Sequence, residues 1–359
     1  MNVECVKPDA LTIDHIDAWR DLQGRSKTTT SPFFSPSFTI ASASVQANIE
    51  IAIVKDSGAI VGFLPFQRRR FSAGWPVAWK LNDFHGGIFD DDAKIDGEEL
   101  IRQAGLAAWH FDHLLATQDC FRTGQIIASA SPYVDLSDGF DAYLEERKRA
   151  RSDEIRQTLR KSRKLAREHG GLHFEFSTKD NQVFDTLLDW KQEQLKARKK
   201  HNHFQSKWAR DLLARMQLGD NEDCRGALSA LYAGDQLVAV HFGIHNRHAL
   251  HWWVNAYNKD FSRYSPGSIL LLELTRHAAA EGIQRIDLGK GDEQYKRRFQ
   301  SDAIELAEGA VSNSAWRRSF NSAIYRAKHW IRSSPVRGLV QWPKRVARRI
   351  AKIWEPAEN

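Results

Sequence analysis

Two consecutive stretches, 265-SPGSILLLELTRHAAAEG-282 and 283-IQRIDLGKGDEQYKRRF-299, decide the fold. The first predicts a helix that begins near Gly267 and ends at Gly282, because aliphatic residues recur at helical spacing between a Ser-Pro-Gly start and a glycine. The second predicts a short strand over 283–288. A helix that connects one strand to the next indicates a parallel crossover in an open sheet.

The end of this strand and the start of this helix form the predicted ligand-binding edge. Open α/β sheets bind ligands beyond the carboxyl ends of parallel strands. The first backbone N–H groups of a helix also bind anions such as a pyrophosphate. The candidates at these two places are Ser265, Gly267, Ser268, Asp287, Gly289 and Gly291. The Ser-Pro-Gly pattern alone is also compatible with an ordinary helix start.

Two similar hairpins indicate that one fold is used twice. The runs 49–54 and 59–66 flank a Lys-Asp-Ser-Gly turn, and the runs 227–232 and 237–244 flank an Ala-Gly-Asp-Gln turn. A shift of about 177 residues overlays the two hairpins, as expected for an internal repeat. The alternative is that any two half-buried hairpins align equally well.

The remaining pattern gives an α+β fold with mixed sheets flanked by helices. A third strand is predicted over 248–257, and one helix with a basic face is predicted over 143–169. We therefore predict an N-terminal unit at 1–142, a C-terminal unit at 143–309 opened by the basic helix, and a basic helical tail at 310–359.

Charge is concentrated in the tail. The chain has a net charge of +7, yet residues 310–359 contain eleven Lys/Arg against two Asp/Glu, so the body is close to neutral. A charged terminal segment is typical of an interaction arm, and it argues against a nucleic-acid-binding fold. Trp and Ile recur in the tail at helical spacing among Arg and Lys, which predicts in-plane binding to an anionic membrane surface. The alternative is a tail packed on the body.

Cysteine and histidine usage predicts no metal site. The three cysteines are far apart and form no CxxC pair, and the histidines around 241–251 do not gather on one face. The N-terminal residues lack the apolar segment of a signal peptide. These observations predict a cytoplasmic protein that associates peripherally with the inner face of the cell membrane.

The two opening stretches resemble the cellulose-biosynthesis-type (CelD-like) acetyltransferases of the GNAT superfamily, which are related to the FemAB aminoacyltransferases. The resemblance covers roughly 49–299, and its most specific part is the Gly-Asp-Glu-x-Tyr-Lys stretch that ends at Lys296. It implies tandem GNAT-like units, acyl-CoA as donor with acetyl-CoA as the expected form, and an amine or hydroxyl acceptor on a polysaccharide precursor. Where the family has a Gly-rich phosphate loop, this chain has Arg263-Tyr-Ser-Pro-Gly-Ser268.

Acyl transfer needs a held thioester, a deprotonated acceptor and a proton for the leaving thiolate. The candidate catalytic residues are Tyr295 as general acid, Asp287 to orient or deprotonate the acceptor, and Glu293. The candidate donor-binding residues add Arg263 to the serines and glycines named above. The candidate acceptor-binding residues are Asp83, His85, Lys296 and Arg160. The alternatives are a core tyrosine, a helix-capping aspartate, a surface turn around Asp83 and solvated basic residues.

The expected function is therefore transfer of an acyl group from acyl-CoA to a sugar-nucleotide or polyprenyl-linked saccharide. Two other functions stay open. One is a Fem-like transferase that uses an aminoacyl-tRNA donor, and the other is a non-catalytic scaffold of a polysaccharide synthase.

Overall fold

The secondary structure follows the hydrophobic pattern of the sequence. The computed structural model describes residues 1–150, 153–198, 202–291 and 293–333. The strands are β1 Asn2–Val6, β2 Ile49–Asp56, β3 Ala59–Arg69, β4 Ala73–Trp75, β5 Ile88–Phe89, β6 Ala108–Leu115, β7 Gln125–Asp135, β8 Leu172–Glu175, β9 Asp220–Asn221, β10 Cys224–Ala233, β11 Gln236–His245, β12 Ala249–His251, β13 Val254–Tyr257, β14 Arg285–Asp287 and β15 Asp302–Ser312. The α-helices are α1 Ile13–Arg25, α2 Pro36–Ala43, α3 Gly97–Gln103, α4 Gly139–Arg149, α5 Asp153–His169, α6 Asn181–Ala197, α7 Lys207–Leu218, α8 Pro266–Ala280, α9 Gln294–Phe299 and α10 Ala315–Ser333.

The strands form one continuous mixed sheet flanked by helices. Its order is β1-β2-β3-β4-β6-β15-β7-β14-β12-β11-β10-β8, with β5, β9 and β13 attached to β3, β10 and β11. The pairs β4–β6 and β12–β14 are parallel. Helix α8 connects β13 to β14, so the predicted crossover and the α+β fold with mixed pairing are both confirmed.

The two halves of the sheet exchange a strand. One half is built from β1, β2, β3, β4 and β6, and the other from β8, β10, β11, β12 and β14. Strand β7, which follows β6 in the chain, pairs with β14 of the second half. Strand β15, which follows β14, pairs with β6 of the first half, and β7 and β15 pair with each other at the centre. Each half is thus completed by a strand from the other.

The predicted hairpin repeat has a structural counterpart. In β2–β3 the register shifts after Val54, which pairs with Gly62, so that Lys55 pairs with Ile60. In β10–β11 the register shifts after Leu231, which pairs with Ala239. The two irregularities are 177 residues apart on both strands of the hairpin. A shared bulge is a specific feature of a pairing pattern, so it supports the repeat more strongly than hydrophobicity does.

The strand exchange changes the predicted unit boundaries. The boundary at 142 falls inside α4, and the boundary at 309 falls inside β15. Residues 310–312 are buried and paired with β6, so they belong to the body rather than to a tail. Truncation after residue 309 would therefore cut a central strand and would not leave an intact body.

Two predicted elements are divided in the structure. The helix predicted over 143–169 consists of α4 and α5 with a break near 150. The strand predicted over 248–257 consists of β12 and β13, because the chain turns at Trp252–Trp253, where the Trp253 N–H bonds the His251 carbonyl. The rings of His241 and Trp252 stack at 4.5 Å, and both residues are buried, so His241 is a packed core histidine.

The first tail helix, α10, packs one face on the body. Asn321 donates a hydrogen bond to the Ser312 hydroxyl, and the Tyr325 hydroxyl lies 3.3 Å from His110 Nδ1. Arg318 forms an ion pair with Glu98. The second predicted tail segment, around 346–354, lies outside the described residues. None of the described helices is both long enough and apolar enough to cross a bilayer.

Candidate active site

A fork between two parallel strands opens at the carboxyl ends of β12 and β14. The pairing runs from Ala249–Arg285 to His251–Asp287, and the Trp252 N–H makes the last bond, to the Asp287 carbonyl. Beyond this point β13 pairs with β11, while the chain after β14 turns towards β7, where the Leu288 N–H bonds the Pro132 carbonyl. The two chains therefore separate after Trp252 and Asp287. The backbone N–H and C=O groups that face the gap between them no longer pair with each other.

Side chains from α6 use some of these backbone groups. The Lys191 ammonium donates to the Asn255 carbonyl at 3.1 Å, and the Gln194 amide donates to the Tyr257 carbonyl at 3.5 Å. These two carbonyls belong to β13, and their acceptor capacity is met by long side chains instead of a neighbouring strand. Long, flexible side chains can be displaced by a ligand that offers its own amide groups.

The N-terminus of α8 lies beside the fork, after the 3₁₀ turn Lys259–Tyr264. Ser265 adopts a left-handed conformation, with φ 55°, and its hydroxyl accepts a hydrogen bond from the Lys161 ammonium at 2.7 Å. The Ser268 N–H already bonds the Ser265 carbonyl. A Cβ added to Gly267 would meet only Tyr257, at 3.8 Å, so open space borders this residue. A cation and a helix N-terminus together suit an anionic ligand.

The other predicted basic residues lie around this point. Arg263 is exposed, pairs with Glu168 at 3.3 Å and stacks over the Tyr264 ring. A cavity of about 490 Å³ is lined by Arg263 and Tyr264 together with His169, Leu237 and neighbours. The lining residues of that cavity belong mainly to the 3₁₀ turn and to the start of β11, and they do not include α8 or the loop after β14. Arg160 is exposed on α5, one residue before Lys161.

The loop after β14 closes around a buried lysine. The Lys296 ammonium donates to the Gly289 carbonyl at 3.0 Å and to the Lys290 carbonyl at 3.2 Å, and it pairs with Glu293 at 3.2 Å. Gly289 and Gly291 have positive φ values of 75° and 149°, which L-residues rarely adopt. The glycines therefore allow the loop to present its carbonyls inward to one cation.

Asp83 reaches this loop from the first half of the chain. Its carboxylate Oδ2 would lie 3.4 Å from a Cβ built on Gly289, and Lys296 Nζ would lie 3.9 Å from the same point. Asp83 is half-buried. The structure thus places a carboxylate from one half and an ammonium from the other on the same side of Gly289, at the mouth of the fork.

His85 holds the loop that carries Asp83. Its Nδ1 accepts backbone N–H groups of Asp112 and His113 at 3.3 and 3.2 Å, and its Nε2 donates to the Asn82 carbonyl at 3.1 Å. Burial lowers the pKa of His85 to about 3, so the ring is neutral. Both ring nitrogens bond the backbone, and the described contacts therefore give His85 a positioning role for the loop.

The same histidine belongs to a group with metal-ligand chemistry. One ligand atom each of His85, Asp112 and His113 lies within 4.8 Å of the others. The Nδ1 lone pair of His85 is already used by two N–H groups, and Lys80 lies 4.0 Å from Asp112. A dication would have to break both hydrogen bonds beside a positive charge. We assign this cluster to hydrogen bonding.

Asp287 lies in a buried network below the fork. Its Oδ1 accepts from Arg285 Nε at 2.9 Å, and its Oδ2 lies 3.3 Å from His251 Nε2. The Ser31 hydroxyl lies 2.8 Å from the same His251 nitrogen. Burial lowers the pKa of His251, and its Nε2 lies between the Ser31 hydroxyl and the Asp287 carboxylate. His251 Nδ1 is buried without a partner among the described residues.

The sequence did not identify Ser31, His251 or Arg285 as site residues. Arg285 and Asp287 alternate on one strand, so their side chains share a face, and this is the one local signal that could have found the pair. His251 and Ser31 come from distant parts of the chain. The contacts with Arg285 and His251 hold the Asp287 carboxylate inside this network, where it is not free to contact an acyl acceptor.

Tyr295 lies on α9 above the fork. Its ring packs on the apolar core of the second half, and its phenol lies beside Trp252, the residue at which the strands part. Burial and the Glu293 charge raise the pKa of Tyr295, so the phenol keeps its proton at neutral pH. Glu293 itself is exposed and pairs with Lys296. A protonated phenol at this place can donate to a group held in the fork.

Comparisons with known proteins concern the family of one segment and the fold. Residues 153–297 match the family model described as an acetyltransferase (GNAT) domain. A sequence search of curated proteins finds no match. Two solved structures are similar in fold: the C-terminal domain of a putative lysylphosphatidylglycerol synthetase from Agrobacterium fabrum, at 13% identity, 88% and 96% coverage of the two chains and a TM-score of 0.53, and FemX, at 8% identity, 90% and 99% coverage and a TM-score of 0.56.

The family match covers the fork, α8, the loop after β14 and most of α9. It leaves out Asp83, which lies beside Gly289, and the strands of the first half, which belong to the same sheet. On this match and the fold, residues 153–297 form a GNAT acetyltransferase domain, and the chain is an acyltransferase.

Proposed function

We propose that this acyltransferase moves an acyl group from acyl-CoA to an amine or hydroxyl of a saccharide precursor linked to a nucleotide or a polyprenyl carrier. The observation that carries the proposal is the meeting of Asp83 with Gly289 and Lys296 at the mouth of the fork. Two halves of the chain contribute to one place where a donor and an acceptor can meet. The saccharide class of the acceptor rests on the resemblance of 265–299 to the CelD-like enzymes.

The donor is proposed to lie along the fork with its pyrophosphate at α8. Lys161 supplies a cation at the first turn of α8, and Gly267 leaves space for close approach of an anion to the backbone. The acyl-carrying arm contains amides, which can replace the Lys191 and Gln194 contacts to β13. We propose acetyl as the acyl group, on the resemblance of 265–299 to the CelD-like enzymes.

The proposed chemistry uses side chains at the mouth of the fork. The acceptor nitrogen or oxygen attacks the thioester carbonyl, the C–S bond breaks, and sulfur leaves as a thiolate. Asp83 orients the acceptor and accepts its proton, while Tyr295 gives a proton to the sulfur. Asp287, held by Arg285 and His251, supports the strand end from below. No cofactor other than the donor is proposed.

Thiol release from acetyl-CoA in the presence of amino-sugar and sugar acceptors tests the proposal. Asp83→Asn should lower kcat/KM by about 10²–10⁴-fold, the range for loss of a general base. Asp91→Asn, an exposed carboxylate in the same half, is the matched control and should be unchanged. If acetyl-CoA neither raises the melting temperature nor loses its acyl group with any acceptor, the donor is wrong.

A second donor is favoured by one observation. Helix α5 carries a row of exposed basic residues next to the start of α8, and its members are Arg156, Arg160, Arg163 and Arg167. Such a row can follow a nucleic-acid backbone. An aminoacyl-tRNA donor would make turnover sensitive to ribonuclease and dependent on these residues, whereas an acyl-CoA donor would leave turnover insensitive to ribonuclease.

A further inference from the structure

Helix α10 carries an apolar stripe on the face opposite to the one that packs on the body. The packed face contains Asn321 and Tyr325, which are buried. The opposite face contains residues at the spacing 316, 320, 323, 327 and 330, which fall on one side of a helix. Trp316, Phe320 and Trp330 of this stripe are 65%, 59% and 62% exposed.

Cations border the stripe. Between residues 315 and 333 the sequence contains five Lys/Arg and no Asp or Glu. Arg317 lies over the Trp316 ring at 5.0 Å, and Arg326 is exposed on the other side of the stripe. Large aromatic rings at the centre with cations at both margins match a helix that lies in the plane of a bilayer surface.

Another exposed aromatic residue, Phe71, lies at the end of the sheet where α10 begins. Phe71 is 81% exposed and follows the exposed Arg70. The Ser72 carbonyl accepts from the Ala107 N–H, and the Ala107 carbonyl accepts from the Asn313 N–H, two residues before α10 begins. Phe71 also has a left-handed φ of 59°, an unusual conformation for an aromatic residue.

We propose that the stripe of α10, aided by Phe71, docks this enzyme on an anionic lipid bilayer. A second copy of the chain is a poorer occupant, because two α10 helices face to face would bring together cations with no carboxylate to offset them. A nucleic acid is a poorer occupant because Trp and Phe, rather than Lys and Arg, form the centre of the surface. The body contacts of α10 go to His110, Ser312 and Glu98, which are not residues of the fork, so docking does not depend on the identity of donor or acceptor.

Docking adds a consequence for the acceptor. A lipid-linked acceptor embedded in the bilayer has a higher local concentration around an enzyme docked on that bilayer than around an enzyme that diffuses freely in solution. If the acceptor is polyprenyl-linked, anionic vesicles should therefore lower its KM without changing kcat for a water-soluble acceptor. This consequence rests on the proposed function, whereas docking itself does not.

The test is co-sedimentation of the full-length chain with vesicles of phosphatidylcholine alone and of phosphatidylcholine mixed with phosphatidylglycerol. The unmodified protein should sediment with the mixed vesicles and less so at high salt, because salt screens the lipid charge. The double variant W316D/F320D should bind about tenfold more weakly or worse, since each buried aromatic contributes strongly to partitioning. L218D is the matched control, because Leu218 is 78% exposed at the end of α7.

Circular dichroism and thiol release from acetyl-CoA establish that each variant is folded and active. The proposal that the stripe docks on lipid is overturned if W316D/F320D co-sediments with the mixed vesicles as strongly as the unmodified protein does. It is also overturned if the unmodified protein does not co-sediment with anionic vesicles at low salt. It is also overturned if the stripe variant changes the oligomeric state measured by light scattering instead of vesicle binding. Loss of binding in L218D as well would show that the effect is general apolarity and not this surface.

Discussion

Replacement of Gly289 by alanine separates the chemistry of the site from backbone strain. Gly289 has φ 75°, and a left-handed conformation costs an L-residue about 1–2 kcal/mol. Gly282 has φ 74°, so the same substitution there carries the same strain. A Cβ on Gly282 meets nothing within 4 Å, whereas a Cβ on Gly289 lies 3.4 Å from Asp83 Oδ2 and 3.9 Å from Lys296 Nζ.

These contacts are close but not clashes, so G289A and G282A should lose the same stability, about 1–2 kcal/mol in free energy of unfolding. Only G289A places a methyl group beside the Asp83 carboxylate, where we propose that the acceptor binds. A small displacement of a reacting group costs on the order of 10²-fold in rate. We therefore expect G289A to lose about 10–10²-fold in kcat/KM and G282A to keep its activity.

The assays are urea unfolding for stability and thiol release from acetyl-CoA for activity, both on the full-length chain. Equal activity of the two variants would refute the reasoning, because Gly289 would then be needed only for its backbone conformation. A much larger stability loss in G289A than in G282A would show instead that the added methyl group disturbs the loop around Lys296.

Three further predictions follow from single residues. Tyr295→Phe keeps the packed ring and removes the hydroxyl, so stability should hold while kcat falls by about 10²–10⁴-fold; unchanged turnover would return Tyr295 to a packing role. Gly267→Val should weaken acyl-CoA binding in calorimetry and leave the melting temperature without ligand nearly unchanged, because only Tyr257 lies near the new side chain. Burial lowers the pKa of His241 to about 3, below its unfolded value near 6.5, so this residue makes the free energy of unfolding fall by up to about 1.4 kcal/mol per pH unit below pH 6.5; the slope measured by urea unfolding should be smaller in His241→Gln.

Local patterns were sufficient for the elements that surround the site. Hydrophobic alternation and turn residues located both hairpins, and the run 265–288 located α8 and the strand after it. These features depend on neighbours in the chain, which is why the sequence reveals them. The sequence did not predict the break at Trp252–Trp253, because the residues on both sides of it are apolar and together resemble one strand.

Long-range pairing could not be found in the same way. Strand β15 looks like any half-buried strand, and nothing in 302–312 indicates that it pairs with β6, nearly two hundred residues earlier. The contacts of His251 with Ser31 and Asp287 likewise join distant segments. Asp83 was proposed from family resemblance, and its place beside Gly289 emerged only when the halves were brought together.

The strand exchange has a consequence for synthesis on the ribosome. When the first half has emerged, β6 still has an open edge, because its partner β15 is among the last parts of the body to be made. An open strand edge is a site for unwanted pairing. The sheet of the first half therefore keeps an open edge until β15 has been synthesised. The two halves also share one apolar core, which contains Trp19 and Phe63 of the first half and Leu213 and Phe242 of the second. Neither half is then a self-sufficient folding unit. A fragment ending before residue 302 would leave β6 and β7 without their shared partner strand, and a fragment ending before α7 would also lack Leu213 and Phe242 from the shared core.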